Sequence, residues 1–351
     1  LALCHYRCII RLNAKCFERR IDTLQSRSLL AAIVSIVSLI VVLALSGWPR
    51  SFAAGQSSDV PAWLKAHVGE GDGQIAPVVL QRARALYLQK LSTGAIKNPC
   101  YFAMDATRPA GFGRRFYVIC ESDQTFRAVP SGHGSGRAVP GANFANGIQC
   151  AKNFSNAMDS KLTTGGAYVT DETITRFKGY YRNAVGKYLA FNRSFVQFDG
   201  EGDTANARPR AIGGHPAAVL RVSCRRKDAD SPYANTEGFV PVGKLVDYAA
   251  GRSNGCTSWS QGDAAKIIPM MQEKSTLYIY PESTDIEAIA KAVKAGKSPS
   301  RAGLYWNASC LGAIGAPKFW PKETLEPILE KLKEAQPPPP PARPLPICKG
   351  Q

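Results

Sequence analysis

Gly251-Arg252-Ser253-Asn254-Gly255-Cys256 is a turn of small residues that ends on a thiol, and it lies downstream of Gly213-Gly214-His215. A cysteine on such a turn, with an imidazole available from another segment, is the minimal equipment for thiol-based acyl transfer. Cysteine alone is weak evidence, because a free Cys commonly serves as a small buried hydrophobe. The residues around it must carry the reading.

Outward from this stretch the chain alternates short β-type runs with Gly, Asn and Asp clusters. Arg115-Phe116-Tyr117-Val118-Ile119, Ala167-Tyr168-Val169-Thr170, Tyr188-Leu189-Ala190-Phe191 and Leu277-Tyr278-Ile279-Tyr280 read as strands, so the class is mainly β. Helical periodicity frames them at 77–91, 286–293 and 323–335. The expected organisation is a leader over 1–53, a helical extension over 54–97 and a β-rich domain over 98–285. A second helical extension over 286–336 and a Pro-rich tail over 337–351 follow. That tail, with five prolines from Pro337 to Pro341, should be an extended polyproline II spacer. Whether it is free or pinned depends on the pairing of Cys348.

Residues 29–45 carry no charge and follow a basic stretch, which is an export signal. Ser51-Phe52-Ala53 offers a small-x-small cleavage site, so cleavage after Ala53 is expected. At roughly 17 residues the apolar run also approaches the length of a membrane anchor. Either reading puts the body outside the cytoplasm, in the periplasm or cell envelope. No function attaches to Cys4, Cys8 and Cys16 in the leader. Seven cysteines remain, Cys100, Cys120, Cys150, Cys224, Cys256, Cys310 and Cys348, an odd number where thiols tend to pair. If Cys256 is the free one, the other six form three bridges, and the sequence leaves their pairing open.

The formal charge is +17, and residues 1–53 hold seven Lys/Arg and two acids, so the exported part keeps about +12. Such a balance suits a polyanionic surrounding. Nucleic acid is not expected, since no module interleaving bases with stacking aromatics is present. No Cys-x-x-Cys pair supplies a zinc cage, and His5 and His67 lie in the leader and the N-terminal extension, so neither metal nor cofactor is expected.

Five motifs stand in order: Ser131-Gly132-His133-Gly134-Ser135-Gly136, Phe154-Ser155-Asn156, Lys161-Leu162-Thr163-Thr164-Gly165-Gly166-Ala167-Tyr168-Val169-Thr170, Asn206-Ala207-Arg208-Pro209-Arg210-Ala211-Ile212-Gly213-Gly214-His215, and 251–256. Together they resemble the L,D-transpeptidase catalytic domains of the YkuD-like fold, in the divergent branch of murein L,D-transpeptidase catalytic domain proteins. The resemblance covers roughly 98–282. It implies a flattened β-sandwich with flanking helices, Cys256 as nucleophile, His215 as its base, and peptidoglycan stem peptides as substrate for a monomer. Gly255 is expected to allow the tight turn. With Asn254 before it, that turn would direct the Gly255 and Cys256 N–H groups at an oxyanion. Ser253 would position His215 or the turn. His133 would position substrate or support the turn, and Tyr168 would donate into the site or pack in a strand.

Departures from the family pattern touch substrate recognition. Thr257-Ser258-Trp259 replaces the usual aliphatic residue and arginine after the cysteine, leaving Arg252 or Arg208 to contact a substrate carboxylate. Asn254 and Pro216 also depart from the pattern. The interval from His215 to Cys256 is long, and 221–242, with Cys224, reads as an inserted loop that a disulfide through Cys224 could staple. An envelope cysteine peptidase or amidase, and a non-catalytic wall-binding domain, stand as alternatives.

Overall fold

In a computed structural model the described residues are 60–111, 113–248, 251–338, 340–341 and 343–349. The leader, with its apolar run and expected cleavage site, lies outside them. No helix among the described residues is long and apolar enough to cross a membrane.

The described residues fall in one compact unit. A short helix α1 (Ala62–Lys65) and α2 (Pro77–Ser92) open it. Strands β1 (Cys100–Asp105), β2 (Arg114–Cys120) and β3 (Thr125–Pro130) follow as an antiparallel meander. Short strands β4 (His133–Gly134), β5 (Ala138–Val139), β6 (Ala142–Asn143) and β7 (Asn153–Phe154) lead into a long ribbon, β8 (Gly166–Arg182) and β9 (Tyr188–Gly200). After β10 (Gly213–Pro216) come β11 (Ala218–Lys227), β12 (Phe239–Asp247), β13 (Arg252–Ser253) and β14 (Thr257–Trp259). The chain ends through α3 (Gln261–Met271), β15 (Thr276–Tyr280), α4 (Ser283–Lys294), α5 (Ala308–Ile314), β16 (Lys318–Phe319) and α6 (Lys322–Glu334).

Ten strands form one sheet, ordered β14-β10-β9-β8-β15-β1-β2-β3, with β12 on the far half of β8 and β11 on β12. Its two ends come together: Phe116 of β2 meets Trp259 of β14 edge to face at 4.9 Å, and Gly132 N–H donates to Ser258 O at 2.8 Å. The hydrogen-bond order is therefore that of one curled sheet.

All six residues of β1 are buried because both faces of the strand are covered. Tyr101 and Ala103 meet Val79, Leu80, Ala83, Leu86 and Tyr87 of α2, which recur at helical spacing. Phe102 and Met104 face the other way, into a cluster with Trp259, Ile267, Ile268 and Met271. Helix α3 presents that apolar face because Ser260 caps it, accepting from Asp263 N–H at 3.1 Å. Leu325 and Leu329 of α6 bury against Phe144, Ala157 and Leu162, so the C-terminal extension braces the loops of residues 142–162.

Among the described residues three disulfides are present: Cys100–Cys120 across β1 and β2, Cys150–Cys310, and Cys224–Cys348. Such bridges belong to an oxidising compartment. The last one pins the tail. Cys348 N–H donates to Arg225 O at 3.0 Å, and Arg225 N–H donates to Pro346 O at 2.8 Å, covering part of the edge of β11. Residues 221–242 are not a plain inserted loop but most of the β11–β12 ladder. Alternation along Ala218-Val219-Leu220 buries one face of it.

Candidate active site

Cys256 is the free cysteine among the described residues, and it is 8% exposed. It lies at the wall of a groove of about 1070 Å³, together with His215, Ser253, Asn254, Arg252 and Arg193. The sheet brings the two ends of the long sequence interval together. β10 and β14 are adjacent and parallel, with Gly214 opposite Thr257 and His215 opposite Ser258. On its other side β10 pairs with β9, and that approach needs glycine, since a Cβ at Gly213 would stand 2.2 Å from Val196 O.

The turn before Cys256 is fixed from two sides. β13 pairs with β4, setting Arg252 opposite His133 and Ser253 opposite Gly134. Ser253 Oγ accepts from Gly255 N–H at 3.2 Å and donates to Cys256 O. Ser253 Oγ thus bonds to the backbone of the turn at both Gly255 and Cys256. Gly255 has φ +112°, and a Cβ there would fall 2.9 Å from Ile212 Cδ1 and from Leu162 O, so only glycine fits. The Gly255 N–H, expected at an oxyanion, is directed at Ser253 Oγ instead.

The thiol donates to Ala211 O at 3.5 Å, and no hydrogen bond joins it to His215. Burial pushes the Cys256 thiol up, opposed by the Gly213 N–H and the charges of Arg193 and Arg210. His215 Nδ1 lies 2.8 Å from Arg193 Nη2 and 3.0 Å from Pro216 O. Burial, then the Arg193 charge, pulls His215 down to about 4, so the imidazole is neutral at pH 7. In this geometry the pair is an uncharged thiol beside an uncharged imidazole.

The other expected site residues divide between groove and interior. Arg252 lines the groove and donates to Asn146 O at 3.1 Å. His133 does not reach the groove. It is fully buried, its Nε2–H donating to Gly147 O at 3.0 Å while Nδ1 accepts from Arg115 at 2.8 Å, and burial pulls it down to about 3. It supports the strand beneath the turn. Tyr168 is also buried, donating to Thr164 O at 2.7 Å and packing 5.9 Å from Phe198, so it packs in its strand and offers no hydroxyl to the groove. Arg208 lies outside the groove, tied to Asp199, Glu172 and Asp171, because those strand carboxylates claim its guanidinium.

Arg193, which lies outside the motifs, and Arg210, which stands within one but was given no role, also line the groove. Arg210 donates to Leu162 O and Thr164 Oγ1, both at 2.7 Å, and so braces the 155–164 loop. The signal for Arg193 is strand alternation. β9 pairs with β10 beside His215, and Arg193 shares the face of Phe195, whose ring lies 6.5 Å from His215. With Lys161, four cations and one acid, Asp159, line the groove, and no carboxylate among the described residues forms an ion pair with Arg193, Arg210 or Arg252. No cluster of His, Cys, Asp or Glu that could hold a metal occurs among the described residues.

Comparison with protein-family models and with curated proteins finds no match. Among solved structures, an L,D-transpeptidase from Mycobacterium smegmatis is similar at 13% identity and TM-score 0.23, over 52% of this chain and 59% of that one. The L,D-transpeptidase (Yku) from Stackebrandtia nassauensis is similar at 12% identity and TM-score 0.23, over 63% of this chain and 88% of that one. The chain spans about three fifths of the length of the first of these. At such scores the likeness is distant and carries no argument about chemistry.

Proposed function

We propose that the protein is an extracytoplasmic cysteine acyltransferase acting on peptidoglycan stem peptides, an L,D-transpeptidase whose nucleophile is Cys256. The observation that carries this reading is the one thiol left free among the described residues, at the wall of a cationic groove and one strand away from His215. The curled sheet is read as the transpeptidase sandwich. The cations suit the carboxylates of a stem peptide and of other anionic wall polymers.

In the first half-reaction His215 Nε2 takes the thiol proton, and the thiolate attacks the carbonyl carbon at the L-centre of the third stem residue. The bond to the terminal D-amino acid breaks, its amine leaves with the proton from His215, and a thioester on Cys256 remains. A side-chain amine of a second stem then gives a cross-link. A free D-amino acid gives exchange, and water gives L,D-carboxypeptidase activity. The uncharged resting pair requires a proton to move only when substrate is present, which limits idle reaction of the thiol.

Incubation with muropeptides tests the reading: D-alanine is released, a mass corresponding to an acyl adduct appears on Cys256, and Cys256→Ser abolishes both while keeping the native fold. Undiminished release by the variant would sink the nucleophile assignment. A cysteine peptidase would instead digest casein. The buried thiol, bonded to Ala211 O, favours a second reading, a non-catalytic wall-binding domain. In that case pelleted sacculi would retain the protein and no D-alanine would appear.

A further inference from the structure

Nδ1 of His215 has two partners in reach and room for one. Arg193 Nη2 can only donate, so the contact at 2.8 Å requires a lone pair on Nδ1 and puts the ring proton on Nε2. Pro216 O can only accept, so the contact at 3.0 Å requires the proton on Nδ1 and leaves Nε2 with the lone pair. Only the second tautomer can receive the Cys256 proton through Nε2. Arg193 itself has no carboxylate partner among the described residues, and its Nε is buried without a hydrogen bond. Beyond His215 its neighbour is the Tyr248 hydroxyl, also on the groove wall.

We infer that Arg193 is a carboxylate-operated latch on His215: unliganded, it holds the imidazole in the Nε2–H tautomer, and a substrate carboxylate that pairs with Arg193 releases Nδ1 to Pro216 O. The proton leaves Nε2 for groove water and returns from water to Nδ1, so the ring stays neutral through the switch. The S–H bond of Cys256 then breaks as Nε2–H forms, giving thiolate and imidazolium. The carboxylate acts twice, since it also offsets the guanidinium charge that opposes an imidazolium in this position. The thiol is accordingly quiet until an anionic peptide end occupies the groove. Arg193 is a positioning residue, and the inference rests on the proposed thiol chemistry while adding what turns it on.

The test is the tautomer of His215, read from its ring ¹⁵N shifts in labelled Cys256→Ala protein, where no turnover intervenes and His215→Gln assigns the signal. Without ligand the ring is expected as Nε2–H, and with Arg193→Gln as Nδ1–H. Arg193→Lys, checked by near-UV circular dichroism as Arg193→Gln is, keeps the charge without the fork and is expected to give a mixture. Saturating N-acetyl-L-lysyl-D-alanine converts the parent to Nδ1–H, and its C-terminal amide does not. An Nδ1–H ring in the unliganded parent, or no change in a folded Arg193→Gln, overturns the latch. A latch that moves in Arg193→Gln but ignores the carboxylate overturns the ligand assignment. D-alanine release from the same dipeptide by the unsubstituted protein decides the transpeptidase reading separately.

Discussion

The indole of Trp259 lies over the backbone of Gly214, so that a Cβ at position 214 would stand 2.3 Å from the ring. The contact joins the strand carrying His215 to the strand that follows Cys256, and Trp259 is fully buried. Gly214→Ala must therefore push β10 away from β14. It is expected to cost about 1–3 kcal/mol of stability, the usual penalty of an overpacked core, and to lower turnover by separating His215 from the thiol. Gly262→Ala, where nothing stands within 4 Å, provides the contrast and should leave stability unchanged or raised. Urea unfolding of the two variants beside the parent decides the matter.

Acid should unfold the protein through the buried His215 and His133. His215 is pulled down to about 4 and His133 to about 3, both below the ordinary value of 6.5. The unfolded chain therefore binds more protons than the native one across that window. The stabilisation is complete above about pH 6.5 and is lost as pH falls through the native values, at roughly 1.4 kcal/mol per pH unit for each ring. Stability measured by denaturant unfolding from pH 7 to pH 4 should fall steeply, and His133→Gln, if folded, should flatten the slope. A flat profile in the parent would mean that the rings are not buried as neutral groups.

The parts legible in the sequence are those where local pattern and tertiary burial agree. Pro77 opens α2 at its first position, and the apolar spacing across 77–91 matches the face that packs on Tyr101 and Tyr278. β2 and β15 read as strands because each buries residues on both faces. The long ribbon was legible only in part: beyond Thr170, β8 runs through Asp171-Glu172-Thr173 and is half exposed, so apolar runs do not mark it. At the site, the glycine-rich turns around His215 and Cys256 announce their positions because close backbone approach excludes any other residue. The direction of a single arginine or tyrosine has no such signature. Arg193 enters the groove through the register of β9 against β10, and Tyr168 turns inward because its strand is covered by Phe198. Register and curl are properties of the sheet as a whole.

Arg252 and Arg208 were equivalent in the sequence as candidates for a substrate carboxylate, and the structure separates them. Arg252 lines the groove and, among the described residues, its guanidinium donates to the Asn146 carbonyl at 3.1 Å and pairs with no carboxylate, so its remaining donors are available to an anion. Arg208 is 44% exposed and already meets three carboxylates, from Asp199, Glu172 and Asp171. A charge-assisted hydrogen bond to substrate is worth about 1.5–3 kcal/mol. Arg252→Ala should accordingly raise KM by roughly ten- to a hundredfold with little change in kcat, since the contact is made equally in the ground and transition states. Arg208→Ala should leave KM in place. It removes the shared cation of Asp199, Glu172 and Asp171, of which Asp171 keeps Lys274 at 4.0 Å, so its effect belongs to stability, and the exposed position keeps even that small. Michaelis curves for D-alanine release distinguish the two outcomes: a KM change in Arg208→Ala without one in Arg252→Ala would move the substrate carboxylate out of this groove.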